Sequence, residues 1–307
     1  MNSRLSDISF GLLTAVLRAM ARLPLGALYV CADAVAWLMR HVVRYRRRLV
    51  RQNLAACFPE KSDAELRDIE KRFYRNFADN IVETVKLLHI SDAEMSRRMT
   101  WSGLDVMQKI MDRGQSVTAY FAHTGNWEWV TSLSLAMQPQ IERGCRLCQI
   151  YRPLKNRHFD ALMLKLRSRF GTHSIAKAHT LREFVEMRRD GVVSVTGFMS
   201  DQKPSHGDAI HTVKFLCRET YVITGTETLT RRMGMAAVYF DMRKVSRGHY
   251  HVDVRLLSDD VARLEPMALT DRYFACLEQT IRRDPAIWLW SHNRWKKPPN
   301  VVAAEKK

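Results

Sequence analysis

From residue 116 onward, short apolar runs rich in branched and aromatic side chains alternate with longer helical stretches, and this rhythm limits the fold more than any other property of the sequence. Strand-like runs at 116–121, 146–151, 192–198, 212–216 and 235–242 are separated by helical stretches at 127–137, 157–170, 181–189 and 222–233. Strands joined through helices of that length make crossover units, so the expectation is an α/β fold: a mainly parallel sheet flanked by helices. A run at 250–256 alternates more cleanly and is expected at a sheet edge, and a last helix over 271–283 ends before Pro285. Upstream, Leu66, Ile69, Phe73, Phe77, Ile81 and Val85 recur at three or four, as one face of a helix does. The tetrapeptide Ser-Asp-Ala-Glu occurs at Ser62–Glu65 and Ser91–Glu94, where it predicts capping boxes, and a third helix is expected over 104–112.

With 307 residues and 13 glycines and 9 prolines scattered singly, no linker is evident. A basic N-terminal helical segment at 1–51 and an α/β domain at 52–307 are the expected division. In the first part, apolar residues run from Ile8 to Met39, interrupted by Arg18, Arg22 and Asp33, so no stretch reaches the roughly 20 clean residues of a spanning helix. No small-residue cleavage site follows, and a retained interfacial or shallowly inserted helical hairpin fits better. Arg40, Arg44, Arg46, Arg47, Arg48 and Arg51 crowd in directly behind it. Such a cluster is suited to anionic headgroups, with Arg44, Arg46, Arg47 and Arg48 as the membrane-binding candidates.

The net charge of +17 calls for an acidic partner. Nucleic acid is disfavoured, because no helix-turn-helix, zinc-finger or aromatic RNA-binding pattern occurs and the densest charge adjoins apolar residues. Six scattered cysteines read as free thiols. Cys145 and Cys148 form a C-x-x-C with no second pair to complete a zinc site, so no metal is expected.

The chemistry is concentrated in His123-Thr-Gly-Asn-Trp-Glu128. An imidazole beside a carboxylate makes a proton acceptor at neutral pH, since the acid fixes the ring tautomer and stabilises the cation that forms. His123 would end the strand at 116–121, at the rim where open α/β sheets place ligand crevices. Thr124, Gly125 and Asn126 supply turn and cap residues, and amides of 124–127 at a helix start are available to bind an oxyanion or a phosphate. The chain has no G-x-S-x-G elbow, and no cysteine has a neighbouring histidine, so direct attack without an acyl-enzyme is the simpler mechanism.

His123 to Glu128 resembles the H-x4-D/E signature of the glycerolipid and lysophospholipid acyltransferase superfamily, and HTGNWE looks like its lipid A branch. Matching blocks follow in order at Tyr151–Asn156, Arg167–Gly171, Ser200–Pro204 and Trp288–Trp295, and the resemblance covers about residues 5 to 297. It implies a glycerolipid acyltransferase-like fold with N-terminal membrane-associated helices on the cytoplasmic face of the inner membrane. It also implies secondary acylation of a lipid A precursor from acyl carrier protein, without a cofactor. His123 would be the general base, Glu128 the carboxylate holding its ring, and Arg167 and Asp201 further functional positions. Arg167 suits a phosphate on either substrate, and Asp201 a supporting role on the rim that His123 occupies. Asn126, Arg152 and Asn156 are expected to support the site or stabilise turns. Trp288, Trp290 and Trp295, interleaved with His292, Arg294, Lys296 and Lys297, read as core packing for at least two of the three rather than an interfacial belt. Phe215-Leu216-Cys217-Arg218 departs from the aromatic-aromatic-glycine turn of the family. Another glycolipid or aminolipid acceptor, such as a phosphatidylinositol mannoside, is the alternative, with a basic nucleic-acid-binding protein and an inactive membrane scaffold behind it.

Overall fold

The computed structural model describes residues 2–205 and 209–296, residues 2–9 by backbone alone; Lys297 lies outside the described residues. The strands are β1 (Met99–Ser102), β2 (Val117–Phe121), β3 (Arg146–Tyr151), β4 (His173–Ala176), β5 (Ser194–Met199), β6 (Thr212–Phe215), β7 (Arg218–Tyr221), β8 (Ala236–Ser246) and β9 (His249–Ser258). Seven of them form one sheet in the order β1-β9-β8-β2-β5-β3-β4, in which every neighbouring pair is parallel except β8 and β9. The expected mainly parallel α/β fold is what forms.

Helices α1 (Asn2–Arg22), α2 (Leu25–Trp37), α3 (Arg47–Cys57), α4 (Asp63–Lys86), α5 (Asp92–Arg98) and α6 (Leu104–Met111) precede the central strands. After them come α7 (Leu133–Ala136), α8 (Gln138–Glu142), α9 (Arg157–Arg167), α10 (Thr180–Arg189), α11 (Gly225–Met233) and α12 (Ala268–Arg283). Side chains alternate between sheet faces, and each face has its own core. Ala119, Phe121, Val238 and Phe240 pack with α2, α6 and the last turns of α4. Tyr120, Ala237 and Tyr239 pack with α3, α12 and the first turns of α4.

Several boundaries move for local reasons. The run at 250–256 is not at an edge, because β1, too short to be recognised from its pattern, pairs outside it. The run at 212–216 does not join the main sheet: Leu216 and Cys217 turn it straight back, so β6 and β7 make a separate antiparallel hairpin. The helix expected over 127–137 is a 3-10 turn, Trp127–Ser132, followed by the short helices α7 and α8. Ser62 and Glu65 make both hydrogen bonds of a capping box, whereas at the second site Ser91 accepts from the Glu94 amide alone. On α4, Ile81 is exposed. The buried surface of that helix instead carries Glu70, Asp79, Glu83 and Lys86, each held by named partners.

No gap in packing marks residue 51. Leu25, Leu28 and Ala32 of α2 belong to the main core, and Lys86 donates from α4 to the carbonyls of Ala21 and Leu23. Asp33 pairs with Arg75 and Arg247. The opposite side of this segment is uncovered: Val30 is 71% and Trp37 60% exposed. Leu25–Val42 is the one stretch among the described residues long and apolar enough, by length and composition, to cross a membrane.

Candidate functional site

The centre is set by strand register. β2 and β5 are parallel neighbours with Phe121 opposite Met199, so two residues beyond each strand end His123 and Asp201 lie side by side. The Asp201 carboxylate accepts from His123 Nδ1 at 2.7 Å through Oδ1, and from the His123 backbone N–H at 3.1 Å and the Trp288 indole at 2.9 Å through Oδ2. Burial alone would raise the Asp201 pKa, but electrostatic attraction to the His123 ring and these hydrogen bonds outweigh it and hold the carboxyl at about 2. An ionised acceptor at Nδ1 requires that nitrogen to carry the proton, which leaves Nε2 with a free lone pair. Gln202 Nε2 lies 3.2 Å from it, in position to donate.

The expected partner of the ring, Glu128, is engaged elsewhere. Both its oxygens accept from Arg167 at the end of α9, Oε2 from Nε at 2.8 Å and Oε1 from Nη2 at 2.7 Å. Arg167 holds its proton more tightly than usual: burial opposes this, but the Glu128 hydrogen bonds and charge prevail. The assignment of Glu128 as the carboxylate on His123 is therefore corrected to Asp201. The reason is geometric: the 3-10 turn directs Glu128 towards α9, while the Nδ1 side of the ring faces β5.

The turn between these groups is fixed from α4. Asn80 donates to the Gly125 carbonyl at 2.9 Å, and Asn126 donates to Glu83 at 2.8 Å while its own Oδ1 accepts from the Trp129 amide. Glu83 also accepts from Tyr29 and Tyr250, each at 2.9 Å, and burial pushes its carboxyl pKa up against those hydrogen bonds. Gly125 has φ +53°, and a Cβ there would come within 2.6 Å of Met242 Sδ, so only glycine fits. Of the amides expected to bind an oxyanion, Thr124 already donates to Ala122 and Gly125 to Ile287.

Asn126 is thus a buried cap of the 3-10 turn. Asn156 caps α9, accepting from the amides of His158 and Phe159. Arg152 is exposed at the exit of β3. Among the basic candidates, Arg47 and Arg51 each bond Glu70 at 2.8 Å and Arg46 donates to the Ser291 carbonyl, whereas Arg44 and Arg48 are exposed. Trp288 and Trp290 are buried and, with Trp295, pack around Phe215 and one another, as core packing requires.

Gln202 and Trp288 lie in motif blocks that by themselves give them no role in the site, and no motif marks Glu83 or Asn80. The available signal for the last two is their spacing: Asn80 and Glu83 follow Phe73 by seven and ten residues, which puts them on the face that α4 buries, where an unpaired polar group is costly.

Residues 4–297 match the family described as bacterial lipid A biosynthesis acyltransferase. The chain is 23% identical over 292 residues to the lipid A biosynthesis palmitoleoyltransferase of Escherichia coli (strain K12), covering 94% of this chain and 91% of that protein. It is 22% identical over 290 residues to the lipid A biosynthesis lauroyltransferase of the same organism, with the same coverage. A match to lipid A biosynthesis acyltransferase 2 of Shigella flexneri is 25% identical but spans about half of each protein, 53% of this chain and 49% of the other. A family match running almost the full length, on a fold of the expected class, establishes that this chain belongs to the bacterial lipid A biosynthesis acyltransferases and is a transferase.

Proposed function

We propose that the protein transfers a fatty acyl chain from the thioester of acyl carrier protein to a hydroxyl of a lipid A precursor, at the cytoplasmic face of the inner membrane. One observation carries the mechanism: the His123 ring is fixed through Nδ1 by a buried, ionised Asp201, so Nε2 is the nitrogen that takes a proton, once the acceptor hydroxyl displaces the Gln202 amide from it. As the acceptor oxygen attacks the thioester carbonyl, its proton passes to Nε2 and the new C–O bond forms. Collapse of the tetrahedral intermediate breaks the C–S bond, and the imidazolium returns the proton to the departing sulfur. Asp201 stabilises the imidazolium between the two steps, as the carboxylate of a hydrolase triad does. The Glu128–Arg167 pair braces the turn that presents His123. The positive charge of the chain supports docking of an acidic carrier protein.

The test is mass spectrometry of lipid A from cells with and without the gene, complemented by wild type or His123→Ala. One missing acyl chain, restored by wild type and not by the variant, is the expected result. An unchanged lipid A with altered phospholipids would overturn the acceptor, and full restoration by His123→Ala would overturn the mechanism.

A further inference from the structure

Arg294 has no use in that mechanism, yet it is only 1% exposed and makes no ion pair among the described residues. Its Nη1 donates to Thr220 Oγ1 at 2.9 Å and to the Tyr221 carbonyl at 2.8 Å, and the guanidinium carbon lies 5.5 Å from the centre of the Phe274 ring. Its Nε and Nη2, together with Nε1 of the adjacent Trp295, find no acceptor among the described residues. Burial draws Arg294 down to about 10, against the pull of Asp201 and Tyr273, so the side chain remains a cation at neutral pH. A buried guanidinium without a counter-charge carries a large desolvation penalty, and all three unsatisfied atoms are donors. Among the described residues, no anion meets these three donors.

A cavity of about 360 Å³ opens against the same residues. Lys203, Arg218 and Lys296 line it with Arg294 and Trp295, and the Arg218 guanidinium carbon lies 4.7 Å from the centre of the Trp295 ring. Glu219 is the one carboxylate on the lining among the described residues, and Thr212 already donates to it. Four cations against one carboxylate, around three unsatisfied donors, exceed what the two oxygens of a carboxylate ligand can take up. A phosphate monoester has three terminal oxygens and a double charge, which suits a guanidinium fork flanked by ammonium groups.

Residues of the cavity wall are tied to neighbours of the reacting centre. Lys203 follows Gln202, which reaches His123 Nε2, and the Lys203 amide donates to His292 Nε2 at 3.5 Å. The Arg294 amide donates to the His292 carbonyl, and Trp288, which binds Asp201, packs on Trp295.

We propose that Arg294, Lys203, Arg218 and Lys296 form a phosphate-binding site beside His123, and that the phosphate monoester it takes belongs to the acyl acceptor. The site does not depend on the acyltransferase reading; the assignment to the acceptor rests on it. Anchoring a phosphate there would hold the rest of the acceptor against the histidine, so loss of the site raises the KM for the acceptor far more than it lowers kcat.

The experiment is titration of the purified full-length protein in detergent micelles with inorganic phosphate at low salt. Wild type is expected to bind one phosphate per chain. The double variant Lys203→Gln, Lys296→Gln, at the rim, should weaken binding by on the order of tenfold or more. Arg294→Lys, which keeps the charge and loses the fork, should do likewise if it folds, with its circular dichroism as the control. Equal phosphate affinity in wild type and the rim variant, or no saturable binding to wild type, would overturn the site. Glucosamine 1-phosphate and holo acyl carrier protein then compete against bound phosphate. Displacement by the sugar phosphate supports the acceptor, whereas displacement only by the carrier protein, whose prosthetic arm is a phosphodiester, would overturn that assignment. Should wild type bind phosphate normally and transfer no acyl chain, the proposed function fails while this site stands.

Discussion

Two carboxylates approach the centre, and each has a different partner: Asp201 holds the His123 ring, while Glu128 holds Arg167. The two make separate predictions. Asp201→Asn leaves the ring without an ionised partner at Nδ1 and should lower kcat by about 10² to 10⁴-fold, with little change in substrate KM, in a steady-state assay. Glu128→Gln and Arg167→Gln break the same bidentate pair, so each alone should cost nearly as much as both together in a double-mutant cycle. Additive losses would show that the pair does not act as a unit. Next to this centre, His292 is pushed down to about 4, first by burial and then by the charges of His123, Arg294 and Lys203, with Asp201 opposing. A histidine that protonates more readily unfolded than folded adds stability above its ordinary pKa of about 6.5 and loses it as pH falls towards 4. Denaturant melts should therefore show stability dropping across that window, by about 3 kcal/mol at most, and His292→Gln should flatten the drop. The histidine was legible as a candidate base in six consecutive letters. The identity of its carboxylate was not, because Asp201 reaches it only through the register of β2 against β5, which no local pattern encodes.

Elements built on long periodic runs appeared where the sequence placed them, and those that failed were short or decided by tertiary contacts. β1 and β4 have four residues each, fewer than an alternation needs to stand out. The stretch after Asn126 has helical composition, but Trp129 is tied to the Glu83 carbonyl through its indole, and the chain tightens into a 3-10 turn there. The β6–β7 hairpin combines both effects, since its turn is made by two residues ill suited to it. Leu216 and Cys217 have φ of +49° and +62°, a region that side chains bearing a Cβ occupy at a cost, and Leu216 is buried there with its amide donating to Glu278. Cys217 is exposed, so replacing it disturbs no core. Cys217→Gly is expected to raise stability by about 0.5–1 kcal/mol in urea melts, and Leu216→Gly to lower it through lost packing despite the same relief of φ. A destabilised Cys217→Gly would mean that the Arg282 contact to the Cys217 sulfur at 3.5 Å outweighs the backbone strain.

At the scale of the whole molecule, the N-terminal segment faces two ways. Its inner side is part of the protein: Leu28 and Ala32 are fully buried, Arg247 bridges Asp33 to Asp79, and Arg47 and Arg51 close on Glu70. Its outer side presents Val30, Trp37, Val42 and Val43, all exposed, next to exposed Arg44 and Arg48. A soluble core helix has no reason to leave such a surface bare, whereas a helix lying in a bilayer interface presents an apolar strip bordered by cations to the headgroups. Of the arginines expected to serve the membrane, Arg46 donates to the Ser291 carbonyl and Arg47 to Glu70, and Arg44 and Arg48 are those left facing outward. Binding to vesicles should then separate into two components. Trp37→Ser with Val42→Ser removes apolar burial worth about 1.5–3 kcal/mol per side chain, and should weaken partitioning at every ionic strength. Arg44→Gln with Arg48→Gln removes about 1 kcal/mol per charge, and should weaken binding to anionic vesicles at low salt while leaving the high-salt value unmoved. If both pairs of variants sediment with vesicles as wild type does, this face does not meet the bilayer, and the protein must reach its lipid acceptor by another surface.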